Sequence, residues 1–305
     1  MPRPGPGPVR IDDGCWDVLA DIHGCIDELT ELLERLGWRP PTRIGQPWDP
    51  PAGRRLVVAG DVVDRGPDVA SVLRTLMPLV EAGRALVTVG NHDDKLRRAL
   101  TGRPVTVAHG LEASLEQLSR EPASFRDEVR DFLTALPAHA ILDRGRLVVA
   151  HAGLPESFHG SEADVARDLA MFGPTRPGRD QWGLPLRLDW AAAYSGTARI
   201  VFGHTPVVAP AWRNGTIDID TGCVFGGALT AVRYPELELV AVPARREYQR
   251  KSSPFRLGHP GGPPVDPATV ASRLQGRSGA RVAWRSDDPR FSADEASGTG
   301  SAPAA

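Results

Sequence analysis

The sequence has no long apolar segment free of charged residues, so nothing in it predicts a membrane-spanning helix. The first residues, 1–8, are mostly proline and glycine and contain no hydrophobic signal core. We therefore expect a soluble protein of the cytoplasm that has no membrane partner.

Cysteine is scarce. Cys15, Cys25 and Cys223 are an odd number at wide spacing, and no Cys-x-x-Cys pair is present. This pattern indicates neither a disulfide framework nor a zinc knuckle. We expect three buried or half-buried thiols in a reducing compartment.

The sequence also lacks an excess of basic residues over acidic ones. The 36 lysines and arginines are balanced by 38 acidic residues, which gives a formal net charge of -2. Such a chain has no overall positive field with which to bind long duplex nucleic acid by counterion release. Any nucleic-acid substrate would have to be held locally, at an end.

The length of 305 residues suits one large α/β domain with an appendage. Composition predicts a disordered leader over 1–13 and a folded domain over 14–248. The remainder, 249–305, is a tail rich in proline, glycine and serine that we expect to be mostly disordered. A short helix could form within it at 267–274.

The first half of the folded domain alternates apolar strand patterns with amphipathic helices. Helices at 27–37 and 69–83 separate three strands, which predicts a β-α-β-α-β unit with parallel pairing. Further helices are expected at 93–99 and 160–171, and two more within 109–136, separated near Glu121. The second half favours β-structure and a second sheet, with strands at 200–203, 217–220, 229–234 and 237–242, a hairpin around 213–215, and a loop at 172–186 that overhangs the site.

Five apolar runs each end in residue types that bind metals. The central one is followed by Gly60-Asp61-Val62-Val63-Asp64-Arg65-Gly66, which places two carboxylates and an arginine at the end of a buried strand. The other four strand ends carry Asp21-Ile22-His23-Gly24, Gly90-Asn91-His92-Asp93, His151-Ala152-Gly153 and Gly203-His204-Thr205. A divalent metal and an anion are the natural ligands of such a set.

These five blocks, in this order, resemble the calcineurin-like metallophosphoesterase superfamily. Within it, the segments around them, such as 183–187 and 219–227, look like the phosphatase module of bacterial polynucleotide kinase-phosphatase. The resemblance covers about residues 14–248. It implies a four-layer α/β/β/α sandwich of the α/β class with a dinuclear metal site at the strand ends, and a hydrolase that acts on phosphoric ester bonds.

The resemblance also implies a ligand set. Asp21, His23 and Asp61 would hold one divalent ion, and Asp61 would bridge to a second ion that is held by Asn91, His151 and His204. A mixture of carboxylate, amide and imidazole donors suits Mn²⁺ better than Mg²⁺, and it also admits Ni²⁺, Fe²⁺ and Zn²⁺.

The remaining roles are carried over in the same way. His92 would protonate the leaving oxygen, Asp64 would orient and stabilise that imidazole, and Arg65 would grip the phosphate. Asp220 matches a site aspartate of the polynucleotide-phosphatase branch and is a possible additional site residue.

For the substrate, the resemblance favours terminal phosphomonoesters, above all 3′-phosphate or 2′,3′-cyclic-phosphate nucleic-acid ends. RNA-repair partner proteins would then be possible, since the chain has no Gly-x-x-x-x-Gly-Lys phosphate loop and only two lysines, Lys95 and Lys251. The alternatives are a protein serine/threonine phosphatase, a bis(5′-nucleosyl)-tetraphosphatase, and a regulatory scaffold without catalysis. Gly-Asn-His-Asp in place of Gly-Asn-His-Glu weakens the protein-phosphatase alternative.

Several other residues have both a structural and a functional interpretation. The helix with Lys95, Arg97 and Arg98, and Arg103 beyond it, is either a solvated face or a surface that receives a phosphorylated polymer. Trp190 and Tyr194 at helical spacing are either core residues or a platform for a base. The single histidines His109 and His139 lack a ligand-spaced partner, which favours packing over metal binding.

Overall fold

The structure is a computed structural model, and it describes residues 7–43 and 45–265. Its strands are β1 Val9–Ile11, β2 Cys15–Leu19, β3 Arg54–Val58, β4 Ala85–Val87, β5 His139–Leu142, β6 Leu147–Ala150, β7 Thr175–Arg179, β8 Pro185–Arg187, β9 Arg199–Phe202, β10 Thr216–Asp218, β11 Ala228–Tyr234, β12 Glu238–Pro243, β13 Phe255–Arg256 and β14 Pro264–Val265. Its α-helices are α1 Ile26–Arg35, α2 Val69–Glu81, α3 Asn91–Leu100, α4 Leu111–Ser119, α5 Ala123–Ala135 and α6 Asp164–Phe172. The helix considered at 267–274 lies outside the described residues.

Two sheets of five strands form the centre of the fold. One has the order β12-β11-β2-β3-β4 and the other β1-β5-β6-β9-β10. The pairs β2–β3 and β3–β4 are parallel, with α1 and α2 as crossovers, so the predicted β-α-β-α-β unit is confirmed. The two helices predicted within 109–136 are confirmed as α4 and α5.

Alternation of side chains along the strands builds separate apolar layers. Val18 and Val57 point between the sheets, whereas their neighbours Leu19 and Val58 point to the opposite face, against helices α1 to α5. In the other sheet, Val201 joins the layer between the sheets, and Ile200 packs outward. With α6 and short 3-10 turns on that outer face, the result is the predicted four-layer α/β/β/α sandwich.

The sheets are assembled differently from the sequence prediction in two places. Strands β11 and β12 extend the first sheet, through the antiparallel pair β11–β2, and do not belong to the second. Strands β9 and β10 are parallel neighbours, so the hairpin predicted around 213–215 does not pair two strands of the sheet. Asn214 and Gly215 do form a tight two-residue turn with positive φ, but it joins only Arg213 to Thr216.

The folded part also extends beyond the predicted limits of 14–248. Strand β1 lies within the segment predicted as a disordered leader, and it pairs with β5 while Ile11 packs onto the layer between the sheets. On the other side, Phe255 is buried against Val208 and packs with Phe225, which fixes the segment beyond residue 248 to the domain. The predicted loop at 172–186 contains the strand pair β7–β8.

The three cysteines are free thiols. Cys25 and Cys223 are buried and Cys15 is half-buried, as predicted. Cys25 and Cys223 lie close together, and a hydrogen bond between them together with burial raises the pKa of Cys223 well above its usual value. Among residues 7–43 and 45–265, no helix combines the length and the apolar composition needed to cross a membrane.

Candidate active site

The predicted site residues leave their strands in a backbone conformation that L-residues rarely adopt. Positive φ angles of 52°, 46°, 51°, 69°, 68° and 76° occur at Asp21, His23, Asp61, Asp64, Arg65 and His204. Each such residue costs about 1 to 3 kcal/mol, and such strain persists only where surrounding contacts hold it. These strained turns follow three strands, β2, β3 and β9, and direct their ends toward one another.

Two glycines allow carboxylates to pass close to the backbone. A Cβ atom on Gly90 would collide with Asp61 Oδ1, and one on Gly203 would collide with Asp21 Oδ2. The glycines of the Gly-Asn-His and Gly-His-Thr blocks therefore make room for acidic side chains, from the adjacent strand β3 at Gly90 and from the facing sheet at Gly203.

One group of atoms consists of hydrogen-bond acceptors that face each other. His151 uses Nδ1 to donate to the Ala59 carbonyl at 2.9 Å, which leaves a lone pair on Nε2. That Nε2 atom lies 3.0 Å from Asn91 Oδ1, 3.0 Å from His204 Nδ1 and 3.4 Å from Asp61 Oδ2. Such spacing is typical of ligands around one ion with bonds of about 2.0 to 2.2 Å, so this donor set fits a divalent cation.

The second predicted group is less tightly assembled. His23 Nδ1 donates to the Val63 carbonyl at 2.8 Å, which directs Nε2 toward Asp61 Oδ2 at 3.6 Å. Asp61 Oδ2 therefore lies between two imidazoles, as a bridging ligand would. Asp21 is buried nearby, and its Oδ2 accepts from the His204 amide at 2.9 Å. His92, and not Asp21, joins His23 and Asp61 in the compact group of ligand atoms.

Burial shifts the pKa values of this site in the directions expected for a cation site. Desolvation raises the pKa of Asp61 to about 7 and that of Asp21 well above its usual value, with further increases from neighbouring carboxylates. Desolvation also lowers the pKa of His151 to about 4 and that of His204 well below its usual value. A bound cation would accept the lone pairs of the neutral imidazoles and would reduce the repulsion between the carboxylates.

His92 belongs to a second hydrogen-bonded unit. Its Nδ1 lies 2.7 Å from Asp64 Oδ2, and Ser114 Oγ donates to Asp64 Oδ1 at 2.6 Å. Asp64 and Ser114 are fully buried, and burial raises the pKa of Asp64 to about 6 although the Ser114 hydrogen bond and Arg65 lower it. The unit fixes the imidazole so that its other nitrogen is available to the pocket. Ser114 gave no sequence signal, because it comes from helix α4.

Asp93 is a buried residue that the sequence analysis did not select. Its carboxylate accepts from the amides of Gly90, Asp61 and Val62 at 2.8, 2.8 and 3.0 Å. It thereby ties the start of α3 to the turn that carries Asp61. Burial and the Asp61 charge raise the pKa of Asp93 to about 7. An acidic residue three positions after the helix cap was the signal that could have identified it.

Two guanidinium groups lie against the imidazoles. Arg65 Nη1 is 2.6 Å from His23 Nε2, and Arg187 Nη2 is 2.5 Å from His204 Nε2. Arg187 is the last residue of β8, just beyond the predicted loop at 172–186, and it lies in the segment 183–187 that carried part of the resemblance but received no role from the sequence. Two arginines beside the ligand cluster form a site for an anion with several oxygens.

Asp220 lies at the edge of the cluster. It is buried, its Oδ1 accepts from the Gly222 amide at 2.9 Å, and its charge raises the pKa of Asp21. Desolvation raises the pKa of Asp220 itself to about 6. The structure therefore brings Asp220 next to the predicted ligands.

Part of this cluster lines a pocket of about 620 Å³. Asp61, Asn91, His92 and His204 are among the lining residues. One wall is formed by residues 180–187 from the β7–β8 strand pair, and another by residues 249–254 together with Arg256. The second wall belongs to the segment predicted as a tail.

The residues proposed to receive a polymer have local partners instead. Lys95 Nζ donates to the Ala108 carbonyl at 2.5 Å, Arg97 pairs with Asp94 at 2.7 Å, and Arg98 donates to the Pro104 carbonyl at 3.2 Å. These contacts favour the solvated-face interpretation of this helix.

Trp190 and Tyr194 are packing residues, as the simpler interpretation predicted. The Trp190 ring lies 5.3 Å from the Phe202 ring, and Tyr194 donates to the Ala198 carbonyl at 2.8 Å. His139 is buried and accepts from the Gly160 amide at 2.9 Å. His109 instead lines the pocket.

Sequence comparison identifies the class of protein. The profile of the calcineurin-like phosphoesterase family (Metallophos) matches residues 17–208, more than half of the chain. The chain belongs to this family of metal-dependent phosphoesterases, as the five strand-end blocks predicted.

Individual relatives refine the comparison. The chain is 44% identical over 237 residues to the bis(5′-nucleosyl)-tetraphosphatase PrpE [asymmetrical] of Bacillus subtilis, covering 76% of this chain and 96% of that protein. It is 41% identical over 247 residues to the protein of the same name from Anoxybacillus flavithermus, covering 79% and 99%. A solved protein serine/threonine phosphatase from Saccharomyces cerevisiae shares the fold, with a TM-score of 0.54 at 14% identity over 79% of this chain and 84% of that chain.

These relatives correct one prediction. The superfamily is confirmed, but the named relatives are tetraphosphatases and not the polynucleotide kinase-phosphatase to which the sequence segments were compared. The likeness was placed on the wrong branch because the five blocks on which it mainly rested identify the superfamily and not a branch within it.

Proposed function

We propose that this protein hydrolyses dinucleoside tetraphosphates asymmetrically, to a nucleoside triphosphate and a nucleoside monophosphate. The names of the relatives that match over nearly their whole length support this substrate. It was one of the alternatives at the sequence level, and it replaces the 3′-phosphate nucleic-acid end as our main proposal. With this change of substrate, there is no longer a reason to expect RNA-repair partner proteins.

The observation that carries the proposal is the shape and charge of the pocket. Five cationic side chains line the same cavity as the predicted metal ligands: Arg65, Arg187, Arg250, Lys251 and Arg256. A monoester has one phosphate for them to share, whereas a tetraphosphate chain presents an extended polyanion. Because the whole protein has a net charge of -2, this concentration of positive charge is a local feature of the pocket.

The pocket also has an aromatic surface for a nucleoside. Trp182 is half-buried in the wall formed by residues 180–187. The Arg256 guanidinium lies 5.4 Å from its ring centroid, so one ring face is held in place by a cation. The opposite face is a suitable surface on which a nucleobase could stack.

The ligand cluster fits two divalent ions, with Asp61, Asn91, His151 and His204 around one and Asp21, His23 and Asp61 around the other. Bound there, they would supply Lewis acidity toward the scissile phosphate and the attacking water. The mixed oxygen and imidazole donors favour Mn²⁺ or Fe²⁺ over Mg²⁺.

The protein's own groups then have separate tasks. Arg65 and Arg187 hold the non-bridging oxygens of the scissile phosphate, since both guanidiniums already point at the ligand cluster. His92 directs the nitrogen that faces the pocket toward the leaving oxygen, where it can hydrogen-bond a departing phosphate or protonate a more basic alkoxide. Asp64 holds the opposite nitrogen at 2.7 Å and so fixes the orientation of the imidazole.

A substrate panel tests the proposal. Diadenosine tetraphosphate, a 3′-phosphorylated oligoribonucleotide and a phosphoserine peptide would be compared by kcat/KM with Mn²⁺ present. We expect the tetraphosphate to be the best substrate and its products to be ATP and AMP by chromatography. Formation of ADP alone, or a higher kcat/KM on either of the other two substrates, would refute it. An Asp61→Asn preparation purified in parallel controls for contaminating phosphatases.

The inactive-scaffold alternative is tested by the same panel. The intact His92–Asp64 contact and the compact ligand cluster give no reason to favour it. A protein inactive on every substrate with Mn²⁺ present would restore that alternative.

A further inference from the structure

Lys251 is one of only two lysines in the chain, and it lines the pocket. Its Nζ lies 5.4 Å from the centroid of the Phe225 ring and 5.8 Å from that of Phe255. Ser253 Oγ, 2.6 Å away, accepts one of its three hydrogens. The ammonium group is therefore held in a defined place by two aromatic rings and a hydroxyl.

The backbone around Lys251 is fixed as well. The amides of Tyr248 and Gln249 both donate to the Val224 carbonyl at 3.0 Å. On the other side, Phe255 is buried against Val208. Lys251 therefore projects from a short segment that is anchored at both ends.

The charge of Lys251 has no close counterion. Within the described residues it makes no ion pair with a carboxylate, and its hydrogen-bond partner is the Ser253 hydroxyl. Burial lowers the pKa of Lys251 to about 8, with smaller contributions from Arg65, Arg256 and Arg187, whereas Asp220 opposes the change. A desolvated ammonium surrounded by other cations is stabilised by an anion from outside the chain.

Phe225 connects Lys251 to the reacting end of the pocket. The Arg65 guanidinium lies 5.2 Å from the same ring centroid from which Lys251 Nζ is 5.4 Å away. The separation between Arg65 Cζ and Lys251 Nζ is therefore no more than the sum of these two distances to the ring centroid. Arg65 in turn contacts His23 of the ligand cluster. A chain of a few phosphates can reach from the cluster past Arg65 to Lys251.

Of the other arginines beyond Arg65 that line the pocket, Arg250 is exposed to solvent, and Arg256 and Arg187 are already engaged. Arg256 pairs with Asp180 at 3.5 Å and lies on the Trp182 ring. Arg187 contacts His204 and the Phe172 carbonyl. Lys251 is thus the cation best placed to bind an additional phosphate group.

We propose that Lys251 is a specificity-determining residue that binds the phosphates following the scissile one, so that the site prefers phosphoanhydride chains to simple monoesters. The proposal rests on the dinucleoside tetraphosphatase function and assigns the residue that selects that substrate class. A lysine suits this role, because a compact point charge can follow a flexible phosphate chain.

Kinetics of Lys251→Gln test the assignment. We expect kcat/KM for diadenosine tetraphosphate to fall roughly 10- to 100-fold, the effect of one charged hydrogen bond, and mainly through KM. The loss on p-nitrophenyl phosphate should be at least tenfold smaller. Arg246→Gln is the matched control, since it removes a nearby positive charge that lies outside the pocket. Equal losses on both substrates, or an equal effect of Arg246→Gln, would overturn the proposal.

Chemical labelling gives a second readout that does not depend on turnover. The metal-loaded enzyme would be acetylated briefly, and modification of Lys251 and Lys95 would be quantified by peptide mass spectrometry. Inorganic tripolyphosphate should protect Lys251 at least fivefold, orthophosphate should protect it much less, and Lys95 serves as the internal reference. Unchanged modification of Lys251 at saturating tripolyphosphate would refute the anion site.

The two experiments separate this inference from the function on which it rests. Protection of Lys251 in an enzyme that does not cleave diadenosine tetraphosphate would remove the proposed function and keep the polyphosphate site. Cleavage of the tetraphosphate with an unaltered substrate ratio in Lys251→Gln would keep the function and remove the role of Lys251.

Discussion

Replacing His92 by alanine separates proton donation from phosphate binding. A proton donor matters in proportion to the basicity of the leaving oxygen. A serine or sugar alkoxide is strongly basic, whereas a departing phosphate has a pKa of about 6 and leaves without a proton near neutral pH. The activity that is lost in His92→Ala should therefore depend on the leaving group of the substrate.

The structure sets the expected size of the effect. His92 Nδ1 is held at 2.7 Å by a buried Asp64, so the opposite nitrogen is positioned for the leaving oxygen. Burial and the Arg65 charge lower the pKa of His92 well below its usual value, so the imidazolium forms readily only when a phosphate offsets that charge. Positioned general acids contribute typically 10² to 10⁴-fold. We expect His92→Ala to lose this full factor on a nucleoside 3′-phosphate, and no more than roughly tenfold on diadenosine tetraphosphate.

The assay compares kcat/KM of wild type and His92→Ala on both substrates at equal metal content. Asp64→Asn should change the two substrates in the same direction, but less, because the imidazole remains. Equal loss on both substrates with unchanged metal content would refute the reasoning, since His92 would then act as a phosphate ligand.

Three further changes probe the surroundings of the site. Asp61→Asn should abolish activity and lower the content of both metals by elemental analysis, because Asp61 Oδ2 lies between two imidazoles; a variant that retains both ions would contradict bridging. Asp93→Ala leaves three buried amides without an acceptor, so urea unfolding should show a loss of about 3 kcal/mol or more; a change below about 1 kcal/mol would contradict this positioning role. Burial lowers the pKa of His139 from 6.5 to about 4. As the pH falls between these two values, the unfolded state binds a proton that the folded state does not, so the free energy of unfolding decreases. His139→Gln should remove up to roughly 3 kcal/mol of that pH dependence of unfolding, and an unchanged slope would exclude His139 as its source.

The metal cluster was predictable because its signals are local. Each ligand follows an apolar run by one or a few residues, and the carboxyl ends of neighbouring parallel strands meet at one edge of a sheet. The blocks with Asp21, Asp61, Asn91, His151 and His204 could therefore be read one at a time. Only their geometry, such as the acceptor contacts of His151, required the structure.

The features that the sequence analysis missed or predicted wrongly involve contacts between segments far apart in the chain. Ser114 contacts Asp64 from α4, and no sequence pattern near Ser114 predicts that contact. Strand β11 pairs with β2 although most of the domain separates them in sequence, because the choice of strand partner is made by packing of whole sheets. Apolar periodicity predicts that a strand exists, but it does not identify its neighbour.

The same distinction explains why the sequence predicted the reaction class better than the substrate. In the proposed function, strand-end motifs hold the scissile phosphate, and any phosphoester hydrolysed by this chemistry needs such residues. The residues that we propose to face the rest of the substrate come from elsewhere: Trp182 from the segment between β7 and β8, and Lys251 from the segment after residue 248. Both segments lack strong periodicity and were interpreted as a loop and a tail. Under the proposed function, substrate choice depends on side chains brought to the pocket by irregular segments, which only the folded chain places beside the candidate metal ligands.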